Sequence, residues 1–210
     1  MTTLLFIGAA LAADDEISVE LGWIGAHDRA WDVFSRGDSY GTVGLRVGKE
    51  VHDRVAIVAG WQHGTVGADV ESDDDGDDYD YDTGDTGLSS GSFRAAFYGN
   101  QLTLGAKADV ELLPWLHPYA TVQGVGVVAV VRFDDDLDDD ENATQVQRTG
   151  FSGGLLAAGG VDFPIRVKGD VAIAPYLELG YGFVAPIRFD ELGEVGFGGF
   201  AGRTGVGVRF

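Results

Sequence analysis

The sequence predicts an all-β fold, an eight-stranded antiparallel up-and-down β-barrel whose strands cross a membrane. Three observations predict it. Of eight candidate strands, all but the fifth alternate between apolar residues and small or polar residues with a period of two, the pattern of a strand that has two different surroundings. No segment is apolar for the roughly eighteen residues that a membrane-spanning helix requires. The connections between the eight segments are alternately long and short.

Composition excludes several classes of protein. The 210 residues include no cysteine, which excludes disulfides, thiolate metal sites and cysteine nucleophiles. With 14 Lys+Arg against 34 Asp+Glu the formal net charge is -20, which argues against nucleic acid because phosphate recognition needs a basic surface. Half of the acidic residues lie in two short segments, ten in residues 69–85 and seven in residues 134–141. The negative charge is therefore concentrated in predicted loops.

The amino-terminal segment predicts a secretory signal peptide over residues 1–13, followed by the barrel over residues 14–210. Residues 4–13 read LLFIGAALAA, an apolar run that ends in small residues with an A-x-A pattern at Ala10, Leu11 and Ala12. No Lys or Arg precedes the run, so a buried first strand or short helix is the competing interpretation.

The first three strands are predicted by clear alternation. Their apolar positions are Ile17, Val19, Leu21 and Trp23, then Val43, Leu45 and Val47, then Val55, Ile57, Ala59 and Trp61. Residues 27–38 break the pattern between the first two strands, and a tight polar turn at residues 49–53 joins the second to the third. A long interruption, from about Gly67 to Asn100, follows the third strand.

The remaining five strands follow in order. The fourth covers residues 102–112, with leucine, alanine and valine on one face and Thr103, Gly105, Lys107, Asp109 and Glu111 on the other. After a short turn, the fifth covers residues 119–133 and is apolar on both faces, so its facing is open. The sixth carries Phe151, Leu155, Ala157, Val161 and Phe163 on its apolar face. The seventh alternates from Leu177 to Phe189, and the eighth covers residues 203–210.

The alternation of connection lengths predicts two different ends. In a meander, odd connections lie at one end and even connections at the other, so the long acidic segments gather on one side. Aromatic residues are expected to form a girdle near each end. The loop-side set is Trp23, Trp61, Phe133 and Phe189, and the turn-side set is Trp115, Tyr119, Tyr176 and Phe210.

A soluble eight-stranded barrel of the lipocalin kind is the structural alternative, because it shows the same alternation with the two faces exchanged. The polar face of the predicted strands consists mainly of Gly, Ser, Thr and Ala with isolated charges. Such residues suit a narrow lumen better than a water-facing surface, which favours the membrane barrel.

The last eight residues resemble the carboxyl-terminal signal by which outer-membrane β-barrels are recognised for assembly, with Gly205, Val208 and the terminal Phe210 as its elements. The whole predicted barrel resembles the small eight-stranded outer-membrane class that includes outer membrane proteins A, X and W. The resemblance implies export to the cell outer membrane of a diderm bacterium, with long acidic extracellular loops and short periplasmic turns. It implies outer-membrane lipids, lipopolysaccharide and the barrel-assembly machinery as partners.

Charged residues on the small-residue face are predicted to point into the barrel. They are Glu20, Arg46, Lys107, Asp109, Glu178 and Arg203. Because side chains can fill the interior of eight strands, opposite charges there are expected to pair into a salt-bridged plug without a wide aqueous pore. The alternative is that these charges only contact water in the lumen.

The sequence offers little catalytic chemistry. Some small barrels modify lipid A and need a histidine with a serine nucleophile or an acidic partner at the outer rim. The four histidines are His27, His52, His63 and His117, and neither His27 nor His63, the two on the predicted outer side, stands two residues from a serine. We therefore expect no enzymatic activity and no cofactor.

Part of the first acidic segment matches the spacing of a calcium-binding loop. Asp73, Asp75, Asp77 and Asp82, with Glu71 and Gly76, fall at ligand positions of that spacing. The match is partial, since Glu occupies the first position and Asp the last. A solvated acidic loop that attracts calcium or magnesium diffusely is the favoured interpretation.

Three functions remain as hypotheses. The first is a non-enzymatic barrel with a structural or surface-interaction role, a mostly plugged lumen and acidic loops that attract cations. The alternative is a W-type channel for small hydrophobic solutes, which the doubly apolar fifth strand and the glycines of the sixth favour. The third is an enzyme that modifies lipid A.

Overall fold

The computed structural model describes residues 15–25, 39–70, 93–134, 145–189 and 193–210. These residues form eleven strands and no other regular element. The strands are β1 (Asp15–Gly25), β2 (Ser39–His52), β3 (Val55–Val70), β4 (Phe93–Asp109), β5 (His117–Asp134), β6 (Gln145–Asp162), β7 (Ile165–Lys168), β8 (Val171–Val184), β9 (Ile187–Phe189), β10 (Gly193–Val195) and β11 (Gly199–Arg209).

Eight of these strands close into an antiparallel barrel. The order is β11, β1, β2, β3, β4, β5, β6 and β8, and β8 pairs again with β11. The closing registers run from Ile24 opposite Ala201 to Glu16 opposite Arg209, and from Gly199 opposite Gly182 to Arg209 opposite Ala172. The predicted eight-stranded up-and-down barrel is confirmed.

The outer wall of the barrel is apolar. Leu104 is 63% exposed and Leu179 is 68% exposed, whereas their strand neighbours Thr103 and Glu178 are buried inside. Apolar side chains that point outward and polar side chains that point inward are the reverse of a soluble barrel, and a bilayer is the surrounding that stabilises them. The described residues contain no helix that could cross a membrane.

The structure shows which face of the fifth strand, β5, points into the barrel. Its odd-numbered residues point inward, with Thr121 and Gln123 buried, and its even-numbered residues point outward, with Val122 at 60% exposed. Its sequence is apolar on both faces because the inward side becomes apolar beyond Gln123, from Val125 to Phe133.

The predicted interruption between Gly67 and Asn100 is wrong at both ends. β3 continues to Val70 and β4 already begins at Phe93, and the two pair throughout. Alternation fails as a signal here because the polarity of the faces changes. Phe97 is buried inside the barrel, while Tyr98 and Asn100 point outward.

Four strands rise beyond the rest of the barrel. The pairing of β2 with β3 starts at Thr42 and Gly64, and the pairing of β6 with β8 starts at Gly154 and Val184. Residues 65–70, 93–98, 130–134 and 145–149 therefore form a four-stranded extension on the loop side. Within the described part of the chain, residues 145–153 of β6 pair in a ladder with β5 alone.

The predicted seventh strand is too long. β8 ends at Val184, and Ile187 and Phe189 belong to a separate hairpin of β9 and β10, in which both of these side chains are buried inside the barrel. The intervening Pro186 has no backbone N–H to donate and cannot continue the ladder. The chain turns into the lumen at that point.

Candidate functional site

The barrel interior is the candidate site, and it consists of two layers. The turn-side layer is polar and charged, and the loop-side layer is apolar. Both are built from inward positions of the same strands, so the change in character follows the sequence of each strand. On β5 the inward residues change from Thr121 and Gln123 to Val125 and Val127.

Arg46 of β2 is at the centre of the charged layer. Its Nη1 donates to Oε2 of Glu178 at 3.0 Å, and its Nε lies 3.9 Å from Oε2 of Glu20. Its guanidinium also stacks over the ring of Tyr176, 4.2 Å from the centroid. Arg203 of β11 donates to the other oxygen of Glu178 at 3.3 Å. Each side chain is almost fully buried, so every charge here depends on its partners.

Glu20 of β1 is held by neutral donors as well. The hydroxyl of Tyr176 donates to Oε2 at 2.7 Å, and Nε2 of Gln62 donates to Oε1 at 2.6 Å. Both carboxylate oxygens are therefore hydrogen-bonded. A buried carboxylate is tolerated only when its lone pairs are satisfied in this way.

A second cluster lies nearer the turns. Nζ of Lys107 is 2.6 Å from Oδ2 of Asp162 and 3.6 Å from Oε2 of Glu16, and it lies over the ring of Tyr119 at 4.3 Å. Arg209 donates to Glu16 at 2.9 Å and also to Asp162. Four cationic groups thus meet four carboxylates in the two clusters, which are Arg46, Lys107, Arg203 and Arg209 with Glu16, Glu20, Asp162 and Glu178.

Five of the six predicted interior charges lie in these clusters: Glu20, Arg46, Lys107, Glu178 and Arg203. Asp109 does not join them. It lies at the end of β4, where its Oδ2 is 3.6 Å from Nδ1 of His117. The sequence interpretation omitted Glu16, Asp162 and Arg209, although the parity of the last strand already placed Arg209 on the inward face.

The two predicted aromatic girdles are partly wrong. Trp23, Trp61, Trp115 and Phe210 are exposed on the outer surface, whereas Tyr119, Tyr176, Phe133 and Phe189 are buried inside. Space for the two tyrosines comes from inward glycines on neighbouring strands. Tyr119 lies against Gly160, and a Cβ at Gly205 would lie 2.7 Å from the Tyr176 hydroxyl oxygen.

Aromatic and aliphatic side chains close the loop-side layer. Phe97 packs edge-on against Tyr40 at 5.3 Å and stacks on Phe197 at 5.6 Å. The hairpin contributes Ile187, Phe189 and Val195, all buried in the same cluster. It is tethered to β6, because the N–H of Ala185 donates to the Gly153 carbonyl at 3.1 Å and the Ser152 hydroxyl donates to the Ala185 carbonyl.

The sequence also predicted a calcium-binding loop and a carboxyl-terminal assembly signal. The calcium-loop residues Asp73, Asp75, Asp77 and Asp82 lie outside the described residues, as does the predicted signal peptide. Among the residues that the structure describes, no group of three or more His, Asp or Glu is arranged to hold a metal ion. In the predicted assembly signal, Gly205 faces inward, Phe210 is partly exposed, and the Phe210 N–H donates to the Asp15 carbonyl at 3.1 Å.

Comparison with known proteins shows the fold. No family model and no curated protein matches the sequence. The structure is similar to outer membrane protein OprG from Pseudomonas aeruginosa, with 16% identity, 94% of this chain and 96% of that one covered, and a TM-score of 0.50. It is also similar to a major outer membrane protein from Thermus thermophilus, with 14% identity, 93% and 99% covered, and a TM-score of 0.50. Neisserial surface protein A gives 13% identity, 94% and 96% covered, and a TM-score of 0.49.

These identities bear on the fold alone. Together with the apolar outer wall and the closed eight-stranded order, they show that the chain has the fold of the small eight-stranded outer-membrane β-barrels. The activity has to be argued from the interior and the loop-side end.

Proposed function

We propose that this outer-membrane barrel is a non-enzymatic protein with a structural and surface-interaction role, and that its lumen is closed. The observation that carries the proposal is the filling of the lumen by two successive layers, one of paired charges and one of packed apolar side chains. On this proposal neither layer passes solutes, and the role belongs to the wall and to the loop-side end.

The two layers oppose ions for different reasons. An ion that enters the charged layer has to separate pairs such as Arg46 and Glu178, and a buried charge without its partner is costly. An ion that enters the apolar layer loses its hydration with nothing to replace it. Either layer alone is a barrier.

Single-channel recording in planar bilayers tests the closed lumen. The wild-type protein should give no steady conductance of porin size. A variant that carries Ile187→Asp and Phe189→Asp, which loosens the apolar layer, should also stay closed because the charged layer is intact. The same variant combined with Arg46→Ala should conduct. A wide steady conductance in wild-type protein would contradict the proposal.

The surface role is supported by the edge of β6 in the four-stranded extension, which has no ladder partner other than β5 among the described residues and is called the open edge below. The Gly153 carbonyl points away from β5, since it accepts the Ala185 N–H. Backbone groups of alternate residues in a strand point to the same side, so residues 147, 149 and 151 direct their N–H and C=O groups along this edge. An exposed row of that kind pairs with an extended peptide, and adjacent side chains select its sequence.

One position allows a matched pair of variants. Thr149→Pro removes an N–H from the open edge without removing a hydrogen bond to β5, and Thr149→Val keeps that N–H. A displayed library of twelve-residue peptides is selected against the wild-type protein in nanodiscs. We expect the selected peptides to bind the valine variant as they bind wild type and to bind the proline variant at least tenfold more weakly. Equal binding to all three proteins would contradict pairing at this edge.

The acidic segments add a cation-attracting character to the same end. Residues 69–85 begin at the end of β3 and residues 134–141 at the end of β5, both strands of the extension, so the sequence predicts both acidic segments on the loop side. Carboxylates at this density repel one another, and calcium or magnesium relieves the repulsion. Calcium at millimolar concentration should slow proteolysis of these segments in wild-type protein. If Asp73→Asn, Asp75→Asn and Asp77→Asn together leave the protection unchanged, the binding is diffuse and no specific site is present.

A second function is favoured by one observation, the apolar character of the loop-side layer. Ladder pairing between β6 and β8 stops at Gly154 and Val184, and a pocket of about 480 Å³ lies beside this point. Its lining includes Tyr181, Phe183 and Val184 of β8 and Gly196, Gly198 and Gly199 before and within β11. A W-type path for small hydrophobic solutes would use the apolar layer and leave sideways here.

Magnetic resonance contacts between detergent chains and valine methyl groups separate the two functions. Contacts to the inward Val127 and Val131 would favour the solute path. Contacts confined to outward groups such as Val122, the internal control on the same strand, would favour the closed lumen.

A further inference from the structure

Three polar or amphipathic side chains meet on the lipid-facing wall: Trp61 and His63 of β3 and Asn100 of β4. His63 lies directly opposite Asn100 in the strand register. Two pairs nearer the barrel middle, Trp61 lies opposite Leu102, which is 58% exposed on the apolar wall. Two pairs nearer the loops, Thr65 lies opposite Tyr98. The trio therefore lies at the loop-side border of the apolar band.

The hydrogen bonds of the trio fix the role of each atom. The Trp61 indole can only donate, and its Nε1 is 3.3 Å from Oδ1 of Asn100, so this atom is the amide oxygen. Nδ1 of His63 lies 3.2 Å from the same oxygen and must carry a proton. The neutral ring then keeps an acceptor at Nε2, and Asn100 keeps two N–H groups on Nδ2.

No described residue hydrogen-bonds to Nε2 of His63 or to Nδ2 of Asn100. These two nitrogen atoms therefore need hydrogen-bond partners from outside the described residues. A bilayer interior supplies none, but the boundary between chains and headgroups does. Asn100 requires an acceptor oxygen, and His63 requires a hydroxyl or an amide N–H. The ester region of a diacyl phospholipid offers acceptors only. A glycolipid whose acyl chains carry hydroxyl and amide groups offers both.

The aromatic rings complete the match. Trp61 and His63 are stacked, with centroids 6.2 Å apart and planes at 18°, and Trp61 is 42% exposed. A flat aromatic face beside polar groups suits the methylene groups next to a headgroup and the apolar face of a sugar.

We propose that Trp61, His63 and Asn100 form a binding site for an outer-leaflet glycolipid of the lipopolysaccharide class, which they recognise through the hydroxyl and amide groups at the base of its acyl chains. The site is independent of the lumen and of the strand edge, so it stands whether or not the barrel conducts.

Native mass spectrometry with purified lipid A tests the site. The test variant carries His63→Phe and Asn100→Leu, which keeps a ring and an apolar surface suited to lipid while it removes the polar atoms. The control is Thr204→Val, a change from polar to apolar on the same wall at a hydroxyl that already donates to the Tyr176 carbonyl at 3.1 Å. Faster migration of unboiled protein on a denaturing gel verifies the fold of each variant.

Wild type and the Thr204 variant should each retain lipid A, and the double variant at least fivefold less. Phosphatidylcholine, which carries ester and phosphate acceptors but no hydroxyl or N–H donor, should be retained equally weakly by all three. Equal retention of lipid A by the double variant would overturn the proposal. Retention of phosphatidylcholine as strong as that of lipid A would also overturn it, because the recognised groups would then be acceptors alone.

Discussion

Arg46 and Glu178 lie on strands separated by β11 and β1, and their side chains meet across the lumen with Nη1 and Oε2 3.0 Å apart. Glu178 also receives Arg203, and Arg46 also approaches Glu20. Through this pair and its two neighbours, β2 is linked to β1, β8 and β11, the three strands around the closing seam.

Arg46→Ala should lower the free energy of unfolding by about 3–5 kcal/mol, because it leaves two buried carboxylates with fewer cations. Urea titration of the protein in lipid vesicles measures it. Arg166→Ala, on an exposed residue of β7, is the control and should change little. A double variant of Arg46→Met and Glu178→Gln should recover part of the loss. An Arg46 variant as stable as the control would show that the pairing contributes little.

Gly205→Val should destabilise the barrel by about 1–3 kcal/mol, since the new side chain would crowd the Val19 carbonyl oxygen and overlap the Tyr176 ring. Gly126→Val is the matched control, because no atom lies within 4 Å of a Cβ at that position. Adding Tyr176→Ala to the Gly205 variant should relieve part of the overlap. It also removes the hydrogen bond that the Tyr176 hydroxyl donates to Glu20. Equal unfolding midpoints for the two valine variants would contradict this account.

Removal of Phe210 should reduce the amount of assembled protein in the outer membrane of an expressing strain severalfold, as the resemblance to a carboxyl-terminal assembly signal implies. Refolding of the same variant in detergent should be nearly normal. The described contact of Phe210 with β1 is a main-chain hydrogen bond at the end of the ladder, and the residue is 37% exposed. Phe200→Ala, at another outward aromatic of β11, is the control. If refolding falls as much as assembly does, Phe210 acts through stability and not through recognition.

The purified protein should migrate faster on a denaturing gel before boiling than after it, because the eight-stranded wall is closed by β8 and β11. Arg46→Ala should lower the temperature at which the fast form disappears, and Arg166→Ala should not. Identical migration before and after boiling would contradict a barrel that resists detergent.

Much of the fold follows from the sequence, because the membrane imposes one rule on every strand. Leu104, Leu179 and their counterparts alternate with small or charged residues wherever the outside is lipid. Strand number and order were predictable for that reason, and so was the outward face of every barrel strand except the fifth. The rule ends where the lipid ends, which is why the upper parts of β3 and β4, around Phe97 and Tyr98, were predicted to be a loop.

The interior was less predictable because it depends on contacts between distant strands. Parity alone places Glu20, Arg46, Lys107, Glu178 and Arg203 inside. It does not show that Tyr176 reaches Glu20, since that contact requires the inward Gly205 on the strand between them. The inward fold of Ile187 and Phe189 likewise depends on the apolar layer that receives them.

The eight charges of the two interior clusters cancel, so the net charge of -20 belongs to the rest of the chain. Half of all acidic residues lie in residues 69–85 and 134–141, which the sequence predicts to be loops on one side of the barrel. On that prediction the negative field is strongest at the loop-side end, cationic molecules are steered there, and added salt slows their association by screening. Because the interior charges cancel one another, the electrostatic field outside the protein comes from its remaining charges.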